Sequence, residues 1–227
     1  MVMTTAENER LSRVENEAPM GKLVKRFWIP ALLSSDLPGA DSPPVRVKLV
    51  GEELVAFRDT EGKVGIIEPF CAHRRADMFY GRNEEGGLRC VYHGWKYDVN
   101  GQCIEAPTEP GNPAFKLTVK IKSYPCVEKA GVVWTYMGPA DLKPELPNLE
   151  FMNVPEDQLF VSWSTQDNNF VQAIEGGIDT MHSIFLHSTV DSHKKLDEYK
   201  RSERQLGSQS RYRSHDNPAI LNTADTD

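Results

Sequence analysis

Two short cysteine–histidine pairs constrain this chain more than any other feature of its sequence. Cys71-x-His73 and Cys90-x-x-His93 each offer one sulfur and one nitrogen donor, and residues 74–89 separate them. Each pair lies where a strand-like run meets a loop, since EPF precedes Cys71 and GWKYD follows His93. Thiolates and imidazoles are common protein ligands of iron and zinc. The spacing therefore predicts that two facing loops hold a metal centre.

The donor pattern alone leaves three interpretations open. A binuclear iron–sulfur cluster would take both thiolates on one iron and both imidazoles on the other. A structural zinc ion uses the same donor types, although zinc fingers usually pair two cysteines and then two histidines. The third interpretation, four unrelated residues, has to explain two mixed pairs followed by Gly94-Trp95. The cluster is the interpretation that the mixed pairing favours.

Composition and charge describe an ordinary globular chain of 227 residues, 39% hydrophobic and 26% charged. The net charge of −7 argues against a nucleic-acid partner, which needs a concentrated basic face. Residues 1–20 do not resemble a secretory signal, and no apolar run approaches the roughly 20 residues of a membrane span. We therefore expect a cytoplasmic protein with reduced thiols, in which Cys103 and Cys126 act as small buried hydrophobes.

The runs between residues 45 and 139 predict short strands separated by turns. VRVKLV, LVAFRD, KVGIIEPF, WKYDV and GVVWTYMG are rich in β-branched and aromatic residues and are broken by glycine-containing turns. This stretch predicts a compact all-β domain at 26–140, preceded by an N-terminal segment at 1–25. The proline-rich, acidic run 140–158 is typical of a linker or domain edge, and a strand-like LFVSWST follows it.

A second group of polar residues lies in NNFVQAIEGGIDTMHSIFLH, whose apolar positions recur every three or four residues and predict a helix. Glu175, Asp179 and His182 would share one face of that helix, whereas His187 needs a bend to approach His182. Two imidazoles with a carboxylate are the ligands of non-haem Fe(II) oxygenases. Taken alone, this pattern is weak.

The sequences CAHRRADMFYGR and CVYHGWKYD resemble the cluster loops of Rieske non-haem iron aromatic-ring-hydroxylating oxygenases. The resemblance extends from RFWIP to FLH and is greatest to the oxygenase (alpha) component of the phthalate-dioxygenase-like branch. It implies an α+β protein, in which an all-β Rieske [2Fe–2S] domain is followed by the start of a helix-grip-like catalytic domain of antiparallel sheet plus helices. Residues 141–227 would be the N-terminal part of that second domain.

The resemblance also implies roles for individual residues. The [2Fe–2S] ligands would be Cys71, His73, Cys90 and His93. His182 and His187 would bind a mononuclear Fe(II), with the third, carboxylate ligand expected beyond residue 227. Asp179 would bridge His182 to His93 of a neighbouring subunit and carry electrons between them. Glu175 would lie near the iron or in solvent.

The implied activity is insertion of O₂-derived oxygen into an aromatic substrate, with or without a carboxylate group, by a cytoplasmic homotrimer or a multiple of it. Electrons would come from an NADH-dependent flavin/iron–sulfur reductase, and dioxygenation is expected ahead of monooxygenation or O-demethylation. Two other hypotheses stay open at this point: a Rieske-type electron-transfer protein without its own oxygenase activity, and a zinc-stabilised interaction domain.

One departure from respiratory Rieske proteins bears on the reduction potential. Ala76 and Tyr92 stand where those proteins have an additional disulfide, and Trp95 stands where they have a hydroxyl residue. Fewer hydrogen bonds to the cluster sulfurs stabilise the reduced form less. The sequence therefore predicts a potential near the low end of the Rieske range, about −150 mV.

Overall fold

The computed structural model describes residues 3–179 together with His182 and Leu186. The chain divides into two compact units, Met1–Thr165 and Gln166–Asp227. The catalytic-domain part of the predicted fold falls largely outside the described residues, as does His187. No helix among the described residues is long and apolar enough to cross a membrane.

Short antiparallel strands dominate the first unit, which confirms the predicted all-β domain. The described strands are β1 (Trp28–Leu33), β2 (Val45–Leu49), β3 (Glu52–Arg58), β4 (Val64–Ile67), β5 (Arg82–Glu84), β6 (Gly87–Arg89), β7 (Lys96–Tyr97), β8 (Cys103–Glu105), β9 (Ser123–Tyr124), β10 (Cys126–Lys129) and β11 (Val132–Tyr136). They form three sheets with the orders β1-β11-β10, β2-β3-β4-β9 and β5-β6-β7-β8.

Tight turns set the register of these sheets. Val50 and Gly51 have φ values of +47° and +76° between β2 and β3, which pairs Val45 with Ala56 and Leu49 with Glu52. Two consecutive positive φ values are typical of the two-residue hairpin turn whose twist matches that of the strands. The turn therefore places every second side chain of β2 and β3 on the same face.

The main core lies around the strands that carry the two cysteine–histidine pairs. Its fully buried members come from both four-stranded sheets and include Phe57, Ile67, Leu88 and Tyr97. Cys103 belongs to this core with 0% exposure, as predicted. Cys126 is only half-buried against a second core, and all four cysteines are free thiols.

Three short α-helices accompany the strands in the described part of the chain, and the two at the N-terminus were not predicted. They are α1 (Thr5–Ser12), α2 (Pro19–Val24) and α3 (Phe170–Ile178). The Thr4 hydroxyl accepts a hydrogen bond from the Glu7 N–H, and the Glu7 carboxylate accepts one from the Thr4 N–H. These are the two hydrogen bonds of a capping box at the start of α1. The strand predicted for LFVSWST is wrong, because residues 159–165 pair with no strand in the described part of the chain.

The prediction of one continuous helix carrying Glu175, Asp179 and His182 on one face is also wrong. Helix α3 ends at Ile178, and Asp179 has an extended backbone with φ −77° and ψ 99°. Gly176 and Gly177 immediately precede this end, and glycine is a poor helix former. Asp179 therefore leaves the helix instead of continuing its face.

The Glu52 carboxylate links the N-terminal segment to the sheets through hydrogen bonds. It accepts hydrogen bonds from Lys25 at 2.5 Å, from Lys122 at 2.8 Å and from Tyr124 at 2.6 Å. Burial by itself would raise the pKa of Glu52, but these three donors outweigh it and lower the pKa to about 2. Folding is therefore coupled to the ionisation of this carboxyl group.

We expect Glu52→Gln to remove a pH-dependent part of the stability. Because the folded pKa is depressed, the contribution is fully present above the unfolded value near 4.5 and is lost as the pH falls towards 2. In urea unfolding, the free energy of unfolding of Glu52→Gln should be lower than that of the unmodified protein by roughly 1–2 kcal/mol at pH 7, and this difference should narrow towards pH 3. Glu53→Gln, at an exposed position of the same strand, is the control. A difference in free energy of unfolding that does not change with pH would contradict this account.

Candidate metal centre

The two cysteine–histidine loops, 71–76 and 90–95, have the same backbone hydrogen bonds. In each, the cysteine N–H donates to the carbonyl five residues later, at 2.9 Å for Ala76 and 2.8 Å for Trp95. In each, the residue four positions after the cysteine donates its N–H to the cysteine carbonyl, at 2.9 Å and 3.0 Å. The sequence spacing of the pairs did not show this repetition, because the histidines occupy different positions within the loops.

The residues that flank the loops also correspond. A bridge between Phe70 and Asp77 closes the first loop, and the β6–β7 pairing of Arg89 with Lys96 closes the second. Each cysteine therefore begins a loop whose two ends are held side by side. The first loop follows the β2-β3-β4-β9 sheet and the second lies within the β5-β6-β7-β8 sheet, so the two sheets present the loops together.

The fourth residue after each cysteine has a left-handed backbone. Arg75 has a φ of +58° and Gly94 a φ of +75°. Glycine adopts this conformation freely, whereas a residue with a side chain is strained by about 1–2 kcal/mol. Alanine at position 94 would also bring its Cβ to 3.1 Å from Pro107 Cγ. Gly94 therefore suits its position and Arg75 is strained at its own.

The sulfur atoms of the two loops lie in the core. Cys71 is 1% exposed and Cys90 is 3% exposed, and each is within interaction distance of the other. Burial raises the pKa of the Cys90 thiol, while hydrogen bonds from the backbone N–H groups of Tyr92 and His93 lower it. Those N–H groups favour the thiolate, which is the form that binds metal.

The imidazoles lie together at the edge of the core and are half-exposed. The rings of His73 and His93 are 4.4 Å apart between centroids and meet edge to face. Burial, assisted by neighbouring His93 and Arg74, lowers the pKa of His73 and favours its neutral, metal-binding form. The Nδ1 atom of His73 is buried without a hydrogen-bond partner in the described part of the chain. A metal ion bound by this nitrogen would give the buried atom a partner, and a buried polar atom without a partner costs free energy of folding.

Trp95 fixes the orientation of the first imidazole. Its ring stacks on His73 with centroids 4.8 Å apart and planes 7° from parallel, and its Nε1–H donates to Thr108 at 2.8 Å. Trp95 is 5% exposed, so the indole cannot move without disturbing the core. From the sequence, Trp95 was noted as the residue after Gly94 and as a departure from another protein class, but this packing role was not predicted.

Tyr97 supplies a hydroxyl group to the first sulfur. Its oxygen lies 3.3 Å from Cys71 Sγ and accepts the Ala72 N–H at 3.1 Å. Because a metal-bound thiolate carries no proton, the Tyr97 O–H would donate to the sulfur. Burial, with the Cys71 contact, raises the pKa of Tyr97 and keeps the hydroxyl protonated. The reduction potential predicted from the sequence did not take this hydrogen bond into account, because Tyr97 had been noted only as part of a strand.

The arrangement fits a binuclear cluster. Two sulfurs are in contact inside the core, and two imidazoles are in contact at its edge, so each pair can hold one iron. No three histidine, cysteine, aspartate or glutamate side chains of the described residues are grouped to hold a single ion. A binuclear cluster asks for two protein ligands on each iron, whereas a structural zinc ion asks for four.

The residues of the second group are partly described. Oδ2 of Asp179 lies 3.5 Å from Nδ1 of His182, so the structure brings these two side chains together. Glu175 is exposed on α3, and its carbonyl accepts the Asp179 N–H at 3.1 Å. His187 lies outside the described residues. The structure therefore joins Asp179 to His182 at the point where α3 ends.

Comparisons with known proteins agree on one family. The family described as "Rieske [2Fe-2S] domain" matches residues 27–125. The chain is 49% identical over 183 residues to the 3-chlorobenzoate-3,4-dioxygenase oxygenase subunit of Comamonas testosteroni, covering 81% of this chain and 42% of that protein. It is 43% identical over 188 residues to the phthalate 4,5-dioxygenase oxygenase subunit of Pseudomonas putida, covering 83% and 43% respectively.

A solved structure gives the same result for the fold. Dicamba monooxygenase bound to dicamba superposes with a TM-score of 0.51 at 28% sequence identity, over 58% of this chain and 41% of that chain. The chain thus spans about two fifths of the length of the curated relatives it matches.

We expect Tyr97→Phe to make the reduction potential more negative. A net contribution of about 1 kcal/mol from one hydrogen bond corresponds to roughly 40 mV for a one-electron couple. A redox titration followed by visible absorption measures it. Tyr136→Phe is the control, because it removes a buried hydroxyl of the β1-β11-β10 sheet that donates to the Pro139 carbonyl. An unchanged potential in Tyr97→Phe would show that the hydroxyl does not act on the sulfur.

Proposed function

Because the chain belongs to the Rieske oxygenases, in the branch of the phthalate dioxygenase oxygenase subunits, we propose that it acts in the oxygenase component of a multicomponent system. This component inserts O₂-derived oxygen into an aromatic substrate with electrons from a reductase. The observation that carries the proposal is the presence, in one chain, of paired sulfurs and paired imidazoles together with the Asp179–His182 contact. A simple electron carrier would not need the Asp179–His182 contact.

In this proposal, Cys71 and Cys90 hold one iron of the [2Fe–2S] cluster, and His73 and His93 hold the other. The cluster supplies one-electron storage. The protein keeps the two sulfurs out of water, supplies N–H and O–H donors to them, and leaves the imidazole edge half-exposed. Electrons can therefore enter or leave at the histidine side, while the core protects the sulfur side.

Asp179 is proposed as the bridge between the two metal centres, with His182 and His187 as ligands of a mononuclear Fe(II). The carboxylate beside Nδ1 of His182 supports this role, because an anionic acceptor orients an imidazole and raises its basicity. The third, carboxylate ligand is proposed beyond residue 227, and Glu175 is proposed as a polar neighbour of the iron. Residues 26–140 would be the Rieske domain and 141–227 the beginning of the catalytic domain.

The bridge is proposed to cross between subunits, from His93 of one copy to Asp179 of the next. A head-to-tail contact that closes on itself gives a ring, and a trimer is the proposed form. The NADH-dependent flavin/iron–sulfur nature of the reductase and the cytoplasmic location stay predictions from sequence.

The proposed substrate class is an aromatic carboxylate, and the proposed reaction is dioxygenation. The two relatives at 49% and 43% identity support this choice, since both are named as dioxygenases of aromatic carboxylates. Dicamba monooxygenase, with its 28% identity, is named for a different reaction on a similar fold. Product analysis with ¹⁸O₂ separates the two, because dioxygenation places two labelled atoms in the product and monooxygenation one.

We expect Asp179→Asn to slow electron transfer without removing either metal centre. Loss of the anion should lower turnover by about 10- to 100-fold in the full-length protein. The spectrum of the reduced cluster and the iron content should stay unchanged. Asp167→Asn, at an exposed position before α3, is the matched control. Turnover equal to that of the control would remove Asp179 from the electron path.

His182→Ala should change the metal content instead. The full-length protein should fall from about three irons per chain to about two, because the cluster stays while the mononuclear site is lost. An iron content of about two in the unmodified full-length protein would favour the electron carrier over the oxygenase.

A further inference from the structure

Three cations lie directly opposite one another across the sheet that carries the second loop. Arg82 of β5 pairs with Arg89 of β6, and Arg89 pairs with Lys96 of β7. Glu105 of β8 pairs with Lys96 at the end of this row. Like charges that face each other destabilise a sheet, and the Arg89 and Lys96 side chains are 13% and 2% exposed, so water screens them little. We call Arg82, Arg89, Lys96 and Glu105 the charge row.

Carboxylates offset this repulsion, and Glu105 binds two of the three cations. Its carboxylate accepts a hydrogen bond from Nη1 of Arg89 at 2.7 Å and forms an ion pair with Lys96. Burial would raise the pKa of Glu105, but hydrogen bonds from these two donors outweigh it and lower the pKa, so the carboxylate is ionised. Arg89 directly precedes Cys90, and Lys96 directly follows Trp95. Glu105 therefore joins the two residues that flank the second loop.

The Arg89 side chain also binds the loop itself. Its Nη1 donates to the Gly94 carbonyl at 3.1 Å, while Nε and Nη2 donate to Glu84 and Glu85 at 2.6 Å and 3.1 Å. A planar guanidinium can hold several acceptors at once in a fixed geometry, whereas the ammonium group of a lysine lacks this fork. Gly94 directly follows His93. The guanidinium is therefore attached to the residue next to a predicted ligand.

The two imidazoles differ in how firmly their rings are supported. His73 stacks on Trp95, which is buried in the core. The ring of His93 lies 3.9 Å from that of Tyr92, but Tyr92 is 62% exposed and is therefore free to move. The constraint on His93 has to come from the backbone beside it, and the bond from the guanidinium to the Gly94 carbonyl lies there.

We propose that Arg89 is a positioning residue for His93, which it fixes through the Gly94 carbonyl, and that Glu105 holds Arg89 in place. Hydrogen-bond partners outside the ligand set orient the ligands of metal centres in this way. In the proposed function, His93 is the ligand that faces Asp179 of a neighbouring subunit, so a fixed imidazole keeps the path between them at a constant length. This inference rests on the proposed function.

Arg89→Lys tests the proposal, because it keeps the positive charge and removes the fork. In the iron-loaded full-length protein, the electron paramagnetic resonance spectrum of the reduced cluster should show shifted g values and broader lines, since His93 would adopt several orientations. Turnover should fall about 10- to 100-fold while the iron content stays unchanged. Glu105→Gln keeps the shape of its side chain but weakens the hold on Arg89, so it should change the spectrum in the same direction by a smaller amount.

Arg82→Lys is the matched control, because it is the same substitution within the charge row. The Arg82 side chain is 65% exposed and forms an ion pair with Glu84 at 3.3 Å. Its strand, β5, lies at the edge of the sheet, whereas the second loop joins β6 to β7. The spectrum and the turnover of this variant should equal those of the unmodified protein.

Two results would overturn the proposal. The first is an Arg89→Lys protein with a lower melting temperature but an unchanged spectrum, which would make Arg89 a structural residue only. The second is an equal change of the spectrum in Arg82→Lys and Arg89→Lys, which would assign the effect to the charge row as a whole instead of the Gly94 bond. If Arg89→Lys does not fold, Glu105→Gln decides, and an unchanged spectrum there counts against the proposal.

Failure of the proposed function gives a different result. An unmodified protein that shows the cluster signal without turnover would refute the oxygenase function alone, because the spectrum of Arg89→Lys still reports the position of His93.

Discussion

The metal centre depends on one backbone constraint, the closing of two loops by the same pair of hydrogen bonds. Each cysteine donates to the carbonyl five residues later and accepts from the N–H four residues later. This closure forces a left-handed residue into each loop, at Arg75 and Gly94. In each loop the cysteine is buried and the histidine is half-exposed.

The sulfur side and the imidazole side of the site have different roles. On the sulfur side, buried donors such as Tyr97 stabilise added negative charge, since hydrogen bonds are stronger where water is excluded. On the imidazole side, Trp95 holds His73 while the ring edges stay accessible. A cofactor held in this way would be protected at one iron and reachable at the other, as a centre that passes electrons between partners requires.

The sequence predicted the all-β domain well, because the domain depends on local patterns: β-branched runs and glycine turns. The four ligand residues stay a prediction from donor spacing, which the paired sulfurs and paired imidazoles fit. The sequence did not predict the contacts of Tyr97 with Cys71, which join residues 26 positions apart across two sheets. It also predicted a helix through Asp179, since the apolar period continues there, whereas Gly176 and Gly177 weaken the helix just before it ends. Arg75 was unpredictable for a related reason, because a left-handed position favours glycine.

The central claim is that sulfur holds one iron and nitrogen the other. Pulsed electron–nuclear double resonance on the reduced full-length protein, labelled with ¹⁵N-histidine, measures it most directly. The account predicts couplings from two histidine nitrogens, and loss of the cluster signal when either His73 or His93 is replaced by alanine. An all-sulfur cluster without histidine coupling, or a colourless protein that contains zinc, would contradict it.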